Sequence, residues 1–106
     1  MRGSHKVSIL QGTEKRCYIT GATMNLEKHH IYYGSKMRSM SDRNGFWVWL
    51  IPELHRGTNG VHGKNGHALD IYLKHECQKA YEKEHSHEQF MELVKKNYLM
   101  GDDENG

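Results

Sequence analysis

Cysteine is scarce in this chain of 106 residues: only Cys17 and Cys77 occur, sixty positions apart. Two thiols do not make a disulfide framework, so the chain reads as cytosolic, with Cys77 a small core residue on a helix. Apolar residues are also few, at 36%, which points to one thin, partly open domain built on a few elements. There is no long apolar run, signal peptide or lipidation motif, and so no expected membrane association. Neither sign of charge dominates, since the net charge is +2.

That charge is unevenly placed. Residues 1–45 hold eight Lys/Arg against three Asp/Glu, while residues 46–106 hold seven against ten. The basic half suits the approach of a polyanion. The opening Met-Arg-Gly-Ser-His looks like an expression-tag leader, so residues 1–6 are set aside and His5 is given no weight. The closing Gly-Asp-Asp-Glu-Asn-Gly is acidic and lacks apolar residues, which reads as a disordered tail over 101–106. Residues 7–100 are expected to form a single domain.

Val7 to Leu10 reads as a short strand or extended arm, and Gly12-Thr13-Glu14-Lys15 as a turn. Cys17-Tyr18-Ile19-Thr20-Gly21 has the form of a tight knuckle. A strand is expected over 26–33. The polar, cationic stretch 35–45 shows no clear period and reads as a ligand-meeting loop. Phe46-Trp47-Val48-Trp49-Leu50-Ile51 is the strongest strand signal, and it should pair antiparallel with 26–33. Pro52 suits the first turn of a short helix through Arg56. After the glycines at 57, 60, 63 and 66 the period becomes helical from Ala68 to about Glu84. Leu69, Tyr72, Leu73, Cys77, Ala80 and Tyr81 form its apolar stripe, with Lys74 and Gln78 off it. Ser86-His87-Glu88-Gln89 is a capping box that opens a second helix, buried through Phe90, Met91, Leu93 and Val94. Asn97-Tyr98-Leu99 should fold back onto the core.

The chemistry concentrates in histidine. His29 and His30 stand together, and His55 and His62 follow after the second strand. Imidazole is a common divalent-metal ligand and exchanges its proton near neutral pH. Four in this order suggest a metal site with a general base beside it, the base pKa lying near 6.5. Neighbours on a strand face opposite ways, so for His29 and His30 to share a site the strand must end or twist there. Lys36, Arg38 and Arg43 suit a phosphate backbone. Trp47, Trp49, Tyr32 and Tyr33 read mostly as packing.

Cys17-Tyr-Ile-Thr-Gly21, Asn25-Leu-Glu-Lys-His-His30, Gly34 with Arg38 and Ser41, Gly45 before Trp-Val-Trp-Leu, His55, Gly60-Val61-His62, Asp70, Leu73-Lys74, Gln78 and Asn97-Tyr98-Leu99 together resemble the HNH (His-Me finger, ββα-metal) endonucleases. Among these, the likeness is to the phage recombination-enhancement nucleases, whose founding type is RecA-dependent. It spans roughly residues 17–99. The resemblance implies an α+β fold, with a ββα-metal core and two C-terminal helices packed on it. It implies a DNA endonuclease or nickase that uses one divalent ion (Mg, Mn or Zn). In that likeness His29 is a metal ligand, His30 is the base that activates water, and His55 and His62 are the remaining ligands. Asn59, at i+4 from His55, is an alternative ligand if the short helix runs on. Lys36, Arg38, Arg43 and Arg56 would hold DNA, while Asn44 and Cys17 would be structural, Asn44 clamping the loop. The expected setting is the cytoplasm of a bacterial host. A recombinase or phage replication or packaging proteins would be partners, and the chain a monomer or weak dimer.

Many HNH domains carry two Cys-x-x-Cys pairs around a structural zinc. Here those positions read Cys17-x-x-Thr20 and Ile51-x-x-Leu54, so no structural zinc is expected and a larger apolar core must replace it. The stretch ahead of residue 17 is short for a separate DNA-binding segment, so RecA dependence is not expected to follow. A different reading is a catalytically weak nucleic-acid-binding module that retains the HNH fold. A third is a structural zinc-binding protein.

Overall fold

A computed structural model describes residues 6–99. Among them the element order is β1 (Glu27–His30), α1 (Met37–Asn44), β2 (Trp47–Leu50), α2 (Pro52–His55), α3 (His67–Tyr81) and α4 (His87–Val94). The fold is therefore α+β: one two-stranded antiparallel sheet with four helices among the described residues. None of those helices is long and apolar enough to cross a membrane. The leader and the acidic tail, apart from Lys6, lie outside the described residues.

β1 and β2 pair as expected, in a register that sets Glu27 opposite Leu50 and His30 opposite Trp47. Both strands are shorter than the apolar runs that suggested them. Their connection corrects the expected loop over 35–45, because residues 37–44 form helix α1. Met40 and Ser41 supply its buried side, and the Ser41 hydroxyl donates to the Tyr32 carbonyl at 2.7 Å. Two turns carry too few apolar positions for a legible period, and packing rather than propensity stabilises so short a helix. Gly45 closes α1 in the left-handed region, at φ 75°, where a β-carbon would be strained.

Val7–Leu10 is not a strand either. Ser8 bridges back to Gly12, and the Ser8 hydroxyl accepts the N–H groups of Leu10 and Gln11, each at 3.1 Å. A side chain that satisfies its own backbone competes with a sheet ladder. The knuckle is present: Gly21 N–H bonds to the Cys17 carbonyl at 2.8 Å, and Thr20 N–H reaches Cys17 Sγ at 3.4 Å. Burial pushes the Cys17 thiol up, but hydrogen bonds from Thr20, Ile51 and Ile19 outweigh it, leaving the thiol below its usual range.

α3 and α4 lie where the helical period places them, and Ser86 and Gln89 form the capping box reciprocally. Ile31, Phe46, Val48, Leu50, Leu73, Cys77 and Phe90 are wholly buried between the hairpin and these helices. The stripe of α3 is rotated from the expected one. Tyr72 is 47% exposed, whereas Gln78 is 0% exposed. Gln78 is accommodated because its amide is bonded on both ends. Nε2 donates to Glu82 and Asn97, and Oε1 accepts the Tyr98 N–H at 2.7 Å. Those bonds dock Asn97-Tyr98-Leu99 onto the core, as a buried polar group requires partners.

Candidate metal centre

On β1, Glu27 and His29 share one face while Lys28 and His30 share the other. His29 is 1% exposed, opposite Val48 of β2. Pro52 starts α2 directly after β2, and His55 is its last residue. The chain then doubles back. Val61 N–H bonds to the Leu54 carbonyl at 2.8 Å, and His62 N–H to the His55 carbonyl at 3.2 Å. That return brings His62 beside His55 despite their separation in sequence. It depends on Gly63, where a β-carbon would collide with the carbonyl oxygens of Gly57 and Thr58.

The three imidazoles meet. Ring centroids lie 5.3 Å apart for His29 and His55, 5.2 Å for His29 and His62, and 5.2 Å for His55 and His62. One ring nitrogen from each lies within 4.8 Å of the others, a spacing at which three side chains can share one ion. Neither nitrogen of buried His29 has a hydrogen-bond partner, an arrangement that ordinarily costs stability. Burial, and then the neighbouring His55 and His62, hold its pKa down to about 3. Burial likewise lowers His62. His29 therefore stays neutral, with one ring nitrogen free to bind a metal, across the physiological range. A buried, neutral and unpartnered imidazole flanked by two others fits a divalent ion.

Carboxylates stand behind these rings. Glu27 Oε1 accepts from His55 Nδ1 at 2.8 Å, and the Arg56 guanidinium holds both oxygens of Glu27 at 2.7–3.0 Å. Arg56 first, then His55, hold Glu27 at about 2. On the opposite face of β1, His30 Nε2 lies 3.3 Å from Asp42 Oδ1, which also accepts from Lys28 Nζ at 2.7 Å. Lys28 first, then His30, keep Asp42 below the usual carboxylate range.

β1 ends at His30, and His29, His30, His55 and His62 all line one cleft of about 560 Å³ with Tyr33. Lys28, Arg38 and Arg56 also line it, giving it a cationic wall. Tyr33 packs edge-on to His62 at 4.7 Å, and Lys74 Nζ lies over the Tyr33 ring, 4.5 Å from its centroid. Burial first, then Asp70, raise Tyr33 to about 12.

Of the four residues expected to hold DNA, Arg38 and Arg56 line the cleft, and Lys36 and Arg43 do not. Arg43 instead donates to Ser39 Oγ on its own helix at 2.6 Å. The condition that would bring Asn59 in as a ligand is not met: α2 stops at His55, and the exposed Asn59 accepts from Asn65 at 3.2 Å. Asn44 bonds the Met40 carbonyl at 2.9 Å and so clamps α1 rather than a loop. Cys17 sits buried in the knuckle. Glu27, Lys28 and Asp42 carry no role in the sequence reading, and Tyr33 reads there as packing. Glu27 was the legible one, since two residues before His29 on a strand means the same face. Comparison with protein-family models, curated proteins and solved structures finds no match to this chain.

Proposed function

We propose that this chain is a metal-dependent DNA endonuclease or nickase, with β1, β2 and α2 forming a ββα-metal core. The observation that carries this reading is His29, buried with two unpartnered nitrogens between His55 and His62, in the same cleft as His30. His29, His55 and His62 would hold one divalent ion. Nitrogen donors rank late first-row ions such as Zn²⁺ above Mg²⁺, which prefers oxygen. When bound, such an ion supplies positive charge that polarises a phosphoryl oxygen and offsets charge on the leaving oxygen.

The protein's own groups do the rest. With the Nε2 proton of His30 directed at Asp42, Nδ1 carries the lone pair that takes a proton from water. The water oxygen bonds to phosphorus as the bond from phosphorus to the sugar oxygen breaks, and that oxygen is protonated from solvent. Arg38, Arg56 and Lys28 on the cleft wall draw in and orient the phosphodiester. The phage setting and a link to recombination or genome processing rest on the sequence resemblance alone.

Supercoiled plasmid incubated with Mn²⁺, Mg²⁺ or Zn²⁺ tests the reading. Nicked product is expected, EDTA should abolish it, and His30→Ala should lose about 10²–10⁴-fold in rate. Equal nicking by His30→Ala removes His30 from the chemistry. DNA binding without nicking by the wild type favours a binding module instead.

A further inference from the structure

We infer that Glu27 is a positioning residue for the metal centre, holding His55 in the tautomer that turns Nε2 toward the ion; this rests on the three-histidine reading above. An imidazole offers a metal one nitrogen, and which one is set by the bond the other makes. Here Nδ1 of His55 is engaged by Glu27 Oε1 at 2.8 Å. A carboxylate only accepts, so Nδ1 carries the hydrogen and Nε2 the free lone pair. The ring also has a second constraint, its 5.3 Å approach to buried His29. With Nδ1 tied on one side and the ring packed on the other, Nε2 has a fixed aim.

Glu27 is itself held. Arg56 binds both its oxygens, with Nη2 at 2.7 Å from Oε2 and Nε at 3.0 Å from each. A fork of this kind fixes the carboxylate plane as well as its position. Three residues therefore form one chain of contacts: Glu27 from β1, His55 from the end of α2, and Arg56 just after it. His55 needs such a device more than His29 does. It ends a helix of four residues, whereas His29 is locked by burial. The arrangement also gives Arg56 a task beyond touching DNA, since its guanidinium sets the carboxylate that sets the ligand.

Calorimetric titration of the metal-free full chain with Zn²⁺ reads this directly. Glu27→Gln keeps the shape but offers an amide able to present a donor to Nδ1, and should weaken Zn²⁺ binding by about 10–100-fold. Arg56→Gln leaves the Glu27–His55 contact and should weaken it only a few-fold. Two-bond proton–nitrogen spectra of the wild type, which need no variant to fold, should report His55 as the Nδ1–H tautomer with and without Zn²⁺. Unchanged Zn²⁺ affinity in Glu27→Gln overturns the inference while the metal centre stands, and so does an Nε2–H tautomer in the wild type. A wild type that takes up no Zn²⁺, Co²⁺ or Mn²⁺ overturns the three-histidine reading and this inference with it.

Discussion

His29 and His30 are adjacent on β1 yet serve opposite faces of the ribbon: His29 is buried against His55 and His62, and His30 faces Asp42 of α1 at 3.3 Å. The strand ends at His30, and that termination lets two side chains of opposite direction line one cleft. On the proposed function, His29 would be a ligand and His30 would move a proton.

The burial of His29 carries a cost in stability. Its two ring nitrogens find no partner, and each unsatisfied buried group costs about 1–3 kcal/mol. His29→Leu, similar in volume, should therefore raise the stability of the metal-free protein by about 1–2 kcal/mol. Melts in EDTA should show a midpoint higher by several degrees, at about 4–8 °C per kcal/mol, and zinc titration should show binding lost. A lower midpoint means the site is not strained in the way the orphaned nitrogens indicate.

Acid should weaken the metal-free fold in a window set by the same residue. Below its ordinary value of 6.5 an unfolded His29 takes up a proton, while the folded residue declines it until about pH 3. Stability present above pH 6.5 is thus lost as pH falls, by up to about 1.4 kcal/mol per pH unit from this group. Glu27, held at about 2 against 4.5, adds a loss in the same direction at lower pH. Urea midpoints measured from pH 7 to 4 should fall in the wild type and flatten in His29→Leu. Parallel profiles would assign the acid sensitivity elsewhere.

The return loop should be intolerant of a single methyl group. Gly63→Ala would drive a β-carbon into the Gly57 and Thr58 carbonyls and displace the segment that carries His62. A loss of about 2–3 kcal/mol is expected, together with weaker zinc binding. Denaturant unfolding and calorimetry of the same variant would register both, and a wild-type metal affinity would mean that His62 is placed independently of the loop.

The cationic residues should separate by position. Arg38 lines the cleft, whereas Arg43 is engaged by Ser39 outside its lining. Arg38→Ala should weaken DNA binding and reduce the salt dependence by roughly one phosphate contact. Arg43→Ala should change neither appreciably. Fluorescence anisotropy across a salt series measures both slopes, and equal losses for the two variants would place the DNA path over α1 as a whole.

Much of this was legible beforehand because it depends on period and composition. The aromatic and β-branched run at 46–51, the helical stripe of α3 and the Ser86–Gln89 box each announce their element locally. Helix α1 was not legible, since two turns with only Met37, Met40 and Ser41 facing inward show no period that separates them from a polar loop. Tyr72 and Gln78 exchanged their expected places because a buried amide is acceptable once Glu82, Asn97 and Tyr98 satisfy it. No local pattern reports partners so distant.

The amino-acid order by itself determined which residue types were available: four candidate histidines in two groups among the nine present, a strand expected across the first pair, and a basic first half. It could not determine which would meet, because convergence is a property of chain reversal and not of spacing. The backbone bond from His62 to His55, the glycine contacts that permit it and the burial of His29 selected three imidazoles as one cluster. The carboxylate behind His55 came from β1 and the one facing His30 from α1, each brought within hydrogen-bond reach only by the packed fold.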